Sequence, residues 1–224
     1  MAMELTKEQL LQLHNYIYVS GIKFYDVRTE LVDHFANILE QRLAENPDLN
    51  FKAEIEKIHR NFSDRGFSKL LKQKTKSVTY KFFKHSLQHL MSFFKIPKIL
   101  ITGLLFVVLL KAQLFFSNKE NFFLTLMLFS VLLMLIIGFR ARKRNKQEQF
   151  LSLSLTLGFM QVFHILVMML QFSYSRSLES LANTTHNTIF IACFTLLFLF
   201  FWSGEYVYQQ NKLMVEKQYP NIFI

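Results

Sequence analysis

Residues 121–146 read NFFLTLMLFSVLLMLIIGFRARKRNK. The first nineteen hold no charged side chain, and the next seven hold five positive ones: Arg140, Arg142, Lys143, Arg144 and Lys146. A helix of about 20 apolar residues is long enough to cross roughly 30 Å of hydrocarbon. A helix on the surface of a water-soluble protein would present a charged face, and this stretch has none. Lys and Arg gather on the cytoplasmic side of membrane spans. The segment therefore predicts a transmembrane helix that leaves the bilayer into the cytoplasm at Arg140.

Three more stretches fit the same template: residues 99–116, 150–173 and 188–204, giving four predicted spans with that at 121–139. Pro97 stands just ahead of the first, where its missing N–H costs little. Gly138 and Gly204 stand at the expected ends of the second and fourth. Lys111 is the one charge inside a span, near the outer end of the first, and is expected to snorkel to the interface. Eight Lys precede the first span, and Lys212 and Lys217 follow the fourth. The other two connections carry only Lys119 with Glu120 and Arg176 with Glu179. Every basic segment falls on one side if both termini are cytoplasmic, as expected of a multi-pass protein of a bacterial inner membrane. Trp202, Tyr206 and Tyr208 suit an aromatic belt at that inner face.

Working outward, charge is segregated along the 224 residues. Residues 1–66 carry 8 basic and 11 acidic side chains, whereas 67–98 carry 8 Lys and no acid. The net charge of +10 therefore belongs to membrane flanks, and nucleic acid is not the partner it points to. A single cysteine, Cys193, leaves no intrachain disulfide and no cysteine-based zinc cage. The first long apolar run begins near residue 99, so no signal peptide is expected at the start of this sequence.

The predicted architecture is all-α. It has a small three-helix cytoplasmic domain at 1–66, an amphipathic basic helix at 67–98, a four-helix transmembrane bundle at 99–204 and a cytoplasmic tail at 205–224. In the domain, Thr6 and Gln9 form a capping-box pattern, followed by Leu10, Leu13 and Ile17 on one face up to Gly21. A second helix from about Phe24 to Glu45 buries Val27, Leu31, Phe35 and Ile38. A third begins after Asn50, buries Phe51, Ile55, Ile58 and Phe62, and closes at Gly66. The second helix also shows Asp26, Glu30, Asp33 and Asn37 on one face with His34 beside them. A di-metal bundle needs Glu-x-x-His from two helices, and Glu30 and His34 are four apart with no second copy. The face reads as solvated, partly paired with Arg28, and as a docking surface for a protein partner.

In the basic segment, Lys69, Lys72, Lys76, Lys81 and Lys84 alternate with apolar residues. This pattern predicts headgroup contacts with the anionic inner leaflet, or a linker helix that runs on into the first span. His85 and His89 lie one turn apart without a third ligand for zinc. The third span carries a polar stripe, Ser154, Gly158, Gln161, His164, Met168 and Gln171, expected to face the bundle interior. Two uses remain open for it. It serves hydrogen bonding between helices, or Gln161 and His164 line a solute or proton path in a small oligomeric transporter.

Tyr25-Asp26-Val27-Arg28-Thr29-Glu30-Leu31-Val32-Asp33-His34-Phe35, then Asn50-Phe51 and the helix to Phe62, resembles bacterial HAAS-type domains, the HTH-associated alpha-helical signalling domains. These modules commonly precede transmembrane helices and are associated with PadR-like transcriptional regulators. The resemblance covers about the first third of the chain and implies a non-catalytic adaptor or sensor. No HExxH, GxSxG or Walker loop and no paired intramembrane carboxylates occur, so neither an enzyme nor a cofactor is expected. The function expected is a signalling or regulatory adaptor with a cytoplasmic protein partner, with a homo-oligomeric transporter or channel subunit as the alternative.

Overall fold

The computed structural model describes residues 4–62, 67–144, 149–175 and 183–220. Among them are eight α-helices, one 3-10 turn and no strand beyond an isolated bridge. The chain falls into two compact units, Met1–Val78 with Gln147–Ser152, and Thr79–Lys146 with Leu153–Ile224.

In the first unit, α1 (Lys7–Val19) opens on the capping box anticipated at Thr6 and Gln9. The Gln9 amide donates to Thr6 Oγ1 at 3.2 Å and the Thr6 amide to Gln9 Oε1 at 2.9 Å, so two orphan donors are satisfied reciprocally. Leu13 and Ile17 are fully buried. Gly21 then turns the chain at φ +102°, a conformation that a side chain would strain. The second helix, α2 (Tyr25–Glu45), buries Val27, Leu31 and Phe35 as its spacing predicts. Beyond Phe35 the buried line passes to Leu39 and Leu43, leaving Ile38 half-buried. In α3 (Phe51–Phe62), the Ala53 amide donates to the Asn50 side chain at 3.1 Å, and Ile55 and Ile58 are buried. Burial of each such side chain stabilises by about 1.5–3 kcal/mol. Gly66 and the side chain of Phe62 lie outside the described residues.

The first unit does not end at residue 66. Helix α4 (Phe67–Ser92) begins inside it. The Phe67 ring stacks on His59 at 4.1 Å between centroids, lies 5.6 Å from Phe35, and is buried. An aromatic side chain placed at the junction thus extends the unit by packing.

In the second unit, the rest of α4 is followed by a turn and then by α5 (Lys98–Ala112), which continues as a 3-10 turn over Gln113–Phe115. The basic helix therefore does not run on into the first span. The amides of Phe93, Phe94 and Lys95 donate three residues back, tightening the end of α4, and Pro97 precedes α5. Then come α6 (Lys119–Arg144), α7 (Leu151–Ser175), whose residues from Leu153 on belong to this unit, and α8 (Thr184–Gln218). Four helices, at Lys98–Phe115, Lys119–Arg140, Leu151–Met169 and Thr184–Gln218, are long and apolar enough to cross a membrane. Three of their buried hydroxyls are satisfied within their own helices. Ser130 donates to the Leu126 carbonyl, Thr195 to Ile191 and Ser203 to Leu199, as hydrocarbon requires of polar groups.

Neither glycine ends its helix. α6 runs on past Gly138 to Arg144, and α8 past Gly204 to Gln218. A helical glycine costs about 1 kcal/mol relative to alanine, and at Gly204 close packing accompanies it: an added β-carbon would lie 3.5 Å from Cζ of Phe82. The 35 residues of α8 measure about 52 Å, well beyond the thickness of a hydrocarbon core, so the expected tail is largely helix. Tyr208, expected in an aromatic belt, is buried against protein, whereas Trp202 and Tyr206 are exposed.

Candidate functional site

The first unit's most distinctive site lies where α2 begins. α2 has no side-chain cap of its own at Phe24. Asp26, in its first turn, accepts from the Val27 amide at 3.0 Å. The same carboxylate accepts from the amide of Leu151 at 3.1 and 3.2 Å, 125 positions away, where α7 begins. Alongside, the Tyr25 amide donates to the Gln149 carbonyl at 2.7 Å, and Phe24 and Gln149 form a parallel bridge. The rings of Tyr25 and Phe150 lie 5.7 Å apart, and Phe150 and Leu151 are buried. One carboxylate thus serves two helix N-termini, where negative charge is favoured by the unsatisfied N–H groups and the helix dipole. Burial pushes the Asp26 carboxyl above its ordinary range. Hydrogen bonds from the backbone of Leu151, Val27 and Ser152 partly offset that push.

The rest of the acidic face is arranged differently from the expectation. Glu30 pairs with Lys74 of α4, with both oxygens 2.7 Å from Nζ. Asp33 and His34 are exposed. Arg28 is buried, its guanidinium 5.3 Å from the Tyr18 ring centroid and 5.2 Å from that of Tyr25, a cation–π arrangement. Of the face expected to be solvated and partly paired with Arg28, Glu30, Asp33 and His34 are exposed, and Asp26 is half-buried where it meets the start of α7. The expected headgroup lysines Lys69, Lys72, Lys76, Lys81 and Lys84 are all exposed.

In the second unit the expected polar stripe of α7 is turned inward only in part. Gly158 and Gln161 are exposed and Ser154 and Met168 are half-buried, while Leu153, Leu157, Met160 and Val167 are buried. Of the stripe's described side chains only His164 is buried, because its position on the helix falls among Leu153, Leu157, Met160 and Val167. The side chain of Gln171 lies outside the described residues. Hydrocarbon is as apolar as leucine, so shape decides which face of a span packs inward, and polarity is a weak guide.

Two polar contacts in this unit were not anticipated. The Ser203 hydroxyl donates to the Leu199 carbonyl at 2.8 Å, so its single proton is used, and His89 Nδ1, 3.2 Å from the same oxygen, is assigned as a donor. The His89 ring stacks on Tyr206 at 4.1 Å. Burial, and then the positive Lys98, push the His89 pKa below its ordinary value. Two residues beyond Ser203, Glu205 pairs with Arg140 at the end of α6 and accepts from Gln209. A readable signal existed for that pair: an acid directly after the fourth apolar run and a base directly after the second, both on the same predicted side. Nothing in the local pattern marks His89 for Ser203, or Asp26 for Leu151.

Among the described residues no three His, Cys, Asp or Glu side chains cluster as a metal site would require. Comparisons of the chain with protein-family models, with curated proteins and with solved structures found no match.

Proposed function

We propose that this chain is a non-enzymatic, multi-pass protein of a bacterial inner membrane. Its N-terminal helical unit docks a cytoplasmic protein partner and couples that event to the third span. The observation that carries the proposal is the clasp on α7. Its first turn, with Phe150, belongs to the N-terminal unit and is held by Asp26. A change at the membrane end of α7 therefore bears on the N-terminal end of α2, and a partner bound to α2 bears on the span. Asp33 and His34, both exposed on α2, are the residues offered to the partner. The resemblance of this helix to HAAS-type signalling modules agrees with an adaptor role.

The test is crosslinking of the full-length protein in cells, followed by mass spectrometry of whatever residues 1–62 capture. Expected is one defined cytoplasmic protein, lost in Asp33→Lys and weakened in Asp26→Ala. Capture that is indifferent to both changes would sink the proposal. A second reading, a small oligomeric transporter, draws on His164, whose two ring nitrogens are buried without a hydrogen-bond partner among the described residues. In this reading His164→Ala abolishes flux of a solute or proton into vesicles holding the protein. Unchanged flux would remove it.

A further inference from the structure

The second half of α4 has three sides, and each carries a different chemistry. One is packed on protein: Phe82, Ser86 and Leu90 are buried, with His89 against Ser203 and Tyr206. A second is apolar and largely exposed: Tyr80, Phe83, Leu87 and Met91 recur at intervals of three and four residues and are 67%, 40%, 54% and 52% exposed, with Phe83 also resting edge-on against Phe159 at 4.5 Å. The third is polar and exposed, with Lys81, Lys84, His85 and Gln88. At 100° per residue these sets occupy successive sectors of one helix.

The direction of the helix follows from two contacts. Phe82 and His89 are two turns apart, about 10 Å along the α4 axis. Both nevertheless meet one turn of α8: Phe82 approaches Gly204, and His89 meets Ser203 and Tyr206. Parallel neighbours would meet residues seven apart, so α4 crosses α8 at a steep angle. Because α8 has the length and composition to cross the bilayer, this half of α4, residues 79–92, lies close to the membrane plane. Its depth is set by the same turn of α8, which carries Glu205 paired with Arg140, a charged pair that belongs at headgroup level.

We infer that residues 79–92 form an interfacial helix, with Tyr80, Phe83, Leu87 and Met91 inserted among acyl chains and Lys81 and Lys84 bound to anionic phospholipid headgroups. Charge complementarity selects the occupant, because the lysines flank the apolar side without a nearby acid on the helix, as a helix lying on an anionic leaflet requires. This inference rests on the reading of the chain as membrane-spanning and is independent of any protein partner.

The test uses the full chain in vesicles of phosphatidylcholine and phosphatidylglycerol. Trp202 is the single tryptophan, so Trp202→Phe gives a silent background for Leu87→Trp and, separately, His85→Trp. Lipids brominated near the top of the acyl chain are expected to quench the tryptophan at 87, and acrylamide in the water to quench the one at 85. Brominated phosphatidylglycerol is expected to quench position 87 severalfold more than brominated phosphatidylcholine at equal mole fraction. That preference should fall by roughly fivefold for each of Lys81→Gln and Lys84→Gln. Met91→Trp repeats the measurement if position 87 does not tolerate the ring. Acrylamide quenching at 87 without bromolipid quenching would overturn the inserted face, and equal quenching by the two headgroups would overturn the anionic site. A chain washed off the vesicles by alkaline carbonate would overturn the membrane-spanning reading itself.

Discussion

Glu54 and Asp26 are both carboxylates on the first unit, and their surroundings drive them in opposite directions. Glu54 is buried beneath Arg42, whose hydrogen bond, helped by Lys57, holds its carboxyl below the ordinary value of 4.5. A folded-state pKa below the unfolded one gives stability that is present above the unfolded value and lost as pH falls through the folded value. Glu54→Gln should therefore cost about 1–3 kcal/mol at neutral pH. The variant should also lose part of the decline in stability below pH 4.5, checked by hydrogen exchange of α2 and α3 against pH. For Asp26, desolvation raises the carboxyl above 3.8, so its ionisation on its own opposes folding as pH rises through the folded value, and the helix caps are what hold it in place. Asp26→Ala should release two N-termini, at about 1–2 kcal/mol in total. The expected signature is faster exchange at Leu151 and Val27 together. Faster exchange at Val27 alone would show that the α7 contact contributes nothing. Asp26 was legible as part of an acidic face in the sequence, and Glu54 carried no such mark. Their partners were not legible, because Arg42 and Leu151 are named only by folding.

Among the elements, α4 joins the two units, and its first turn depends on a histidine. Phe67 rests on His59, whose Nδ1 lies 2.8 Å from Tyr16 Oη, and burial lowers the His59 pKa below 6.5. Glu56 and Arg60 are the charged groups acting on Tyr16 there. With the folded value below the unfolded one, the His59 seat contributes above about pH 6.5, and the contribution is lost as pH falls through the folded value. Protection from exchange in Phe67–Val78, relative to the intrinsic rate, should fall between pH 7 and pH 5, and His59→Phe, which keeps the stack without the titration, should remove that dependence. At the other end of α4, Gly204→Ala should be tolerated, because the added methyl meets Phe82 at 3.5 Å, an ordinary contact. Gly204→Leu should displace Phe82 and expose His89 to modification by diethylpyrocarbonate. The helices themselves were readable from caps and spacing at Thr6, Asn50 and the buried line of α2. The run of α8 through Gly204 was not, since a glycine ends a helix only where the chain takes the left-handed conformation that glycine permits but does not impose.

For the molecule as a whole, reporter domains fused after Gln218 and at Asn118 should report opposite sides of the membrane, with that after Gln218 on the side of Arg140. Equal reports from the two would contradict the odd number of crossings, three, between them. The four long apolar helices follow from each segment's own exchange of water for hydrocarbon. That free energy depends on local composition, so residues 99–116, 121–139, 150–173 and 188–204 announced themselves. The positive residues that predict sidedness are likewise local. Packing has no such local signature. In lipid an outward leucine and an inward one differ little in solvation, so the inward face of α7 went to Leu153, Leu157 and Met160, and Gln161 turned outward. The capture of Leu151 by Asp26 and of Ser203 by His89 joins residues 125 and 114 positions apart in the chain. Those contacts form only when the helices meet, and the folded structure alone decided them.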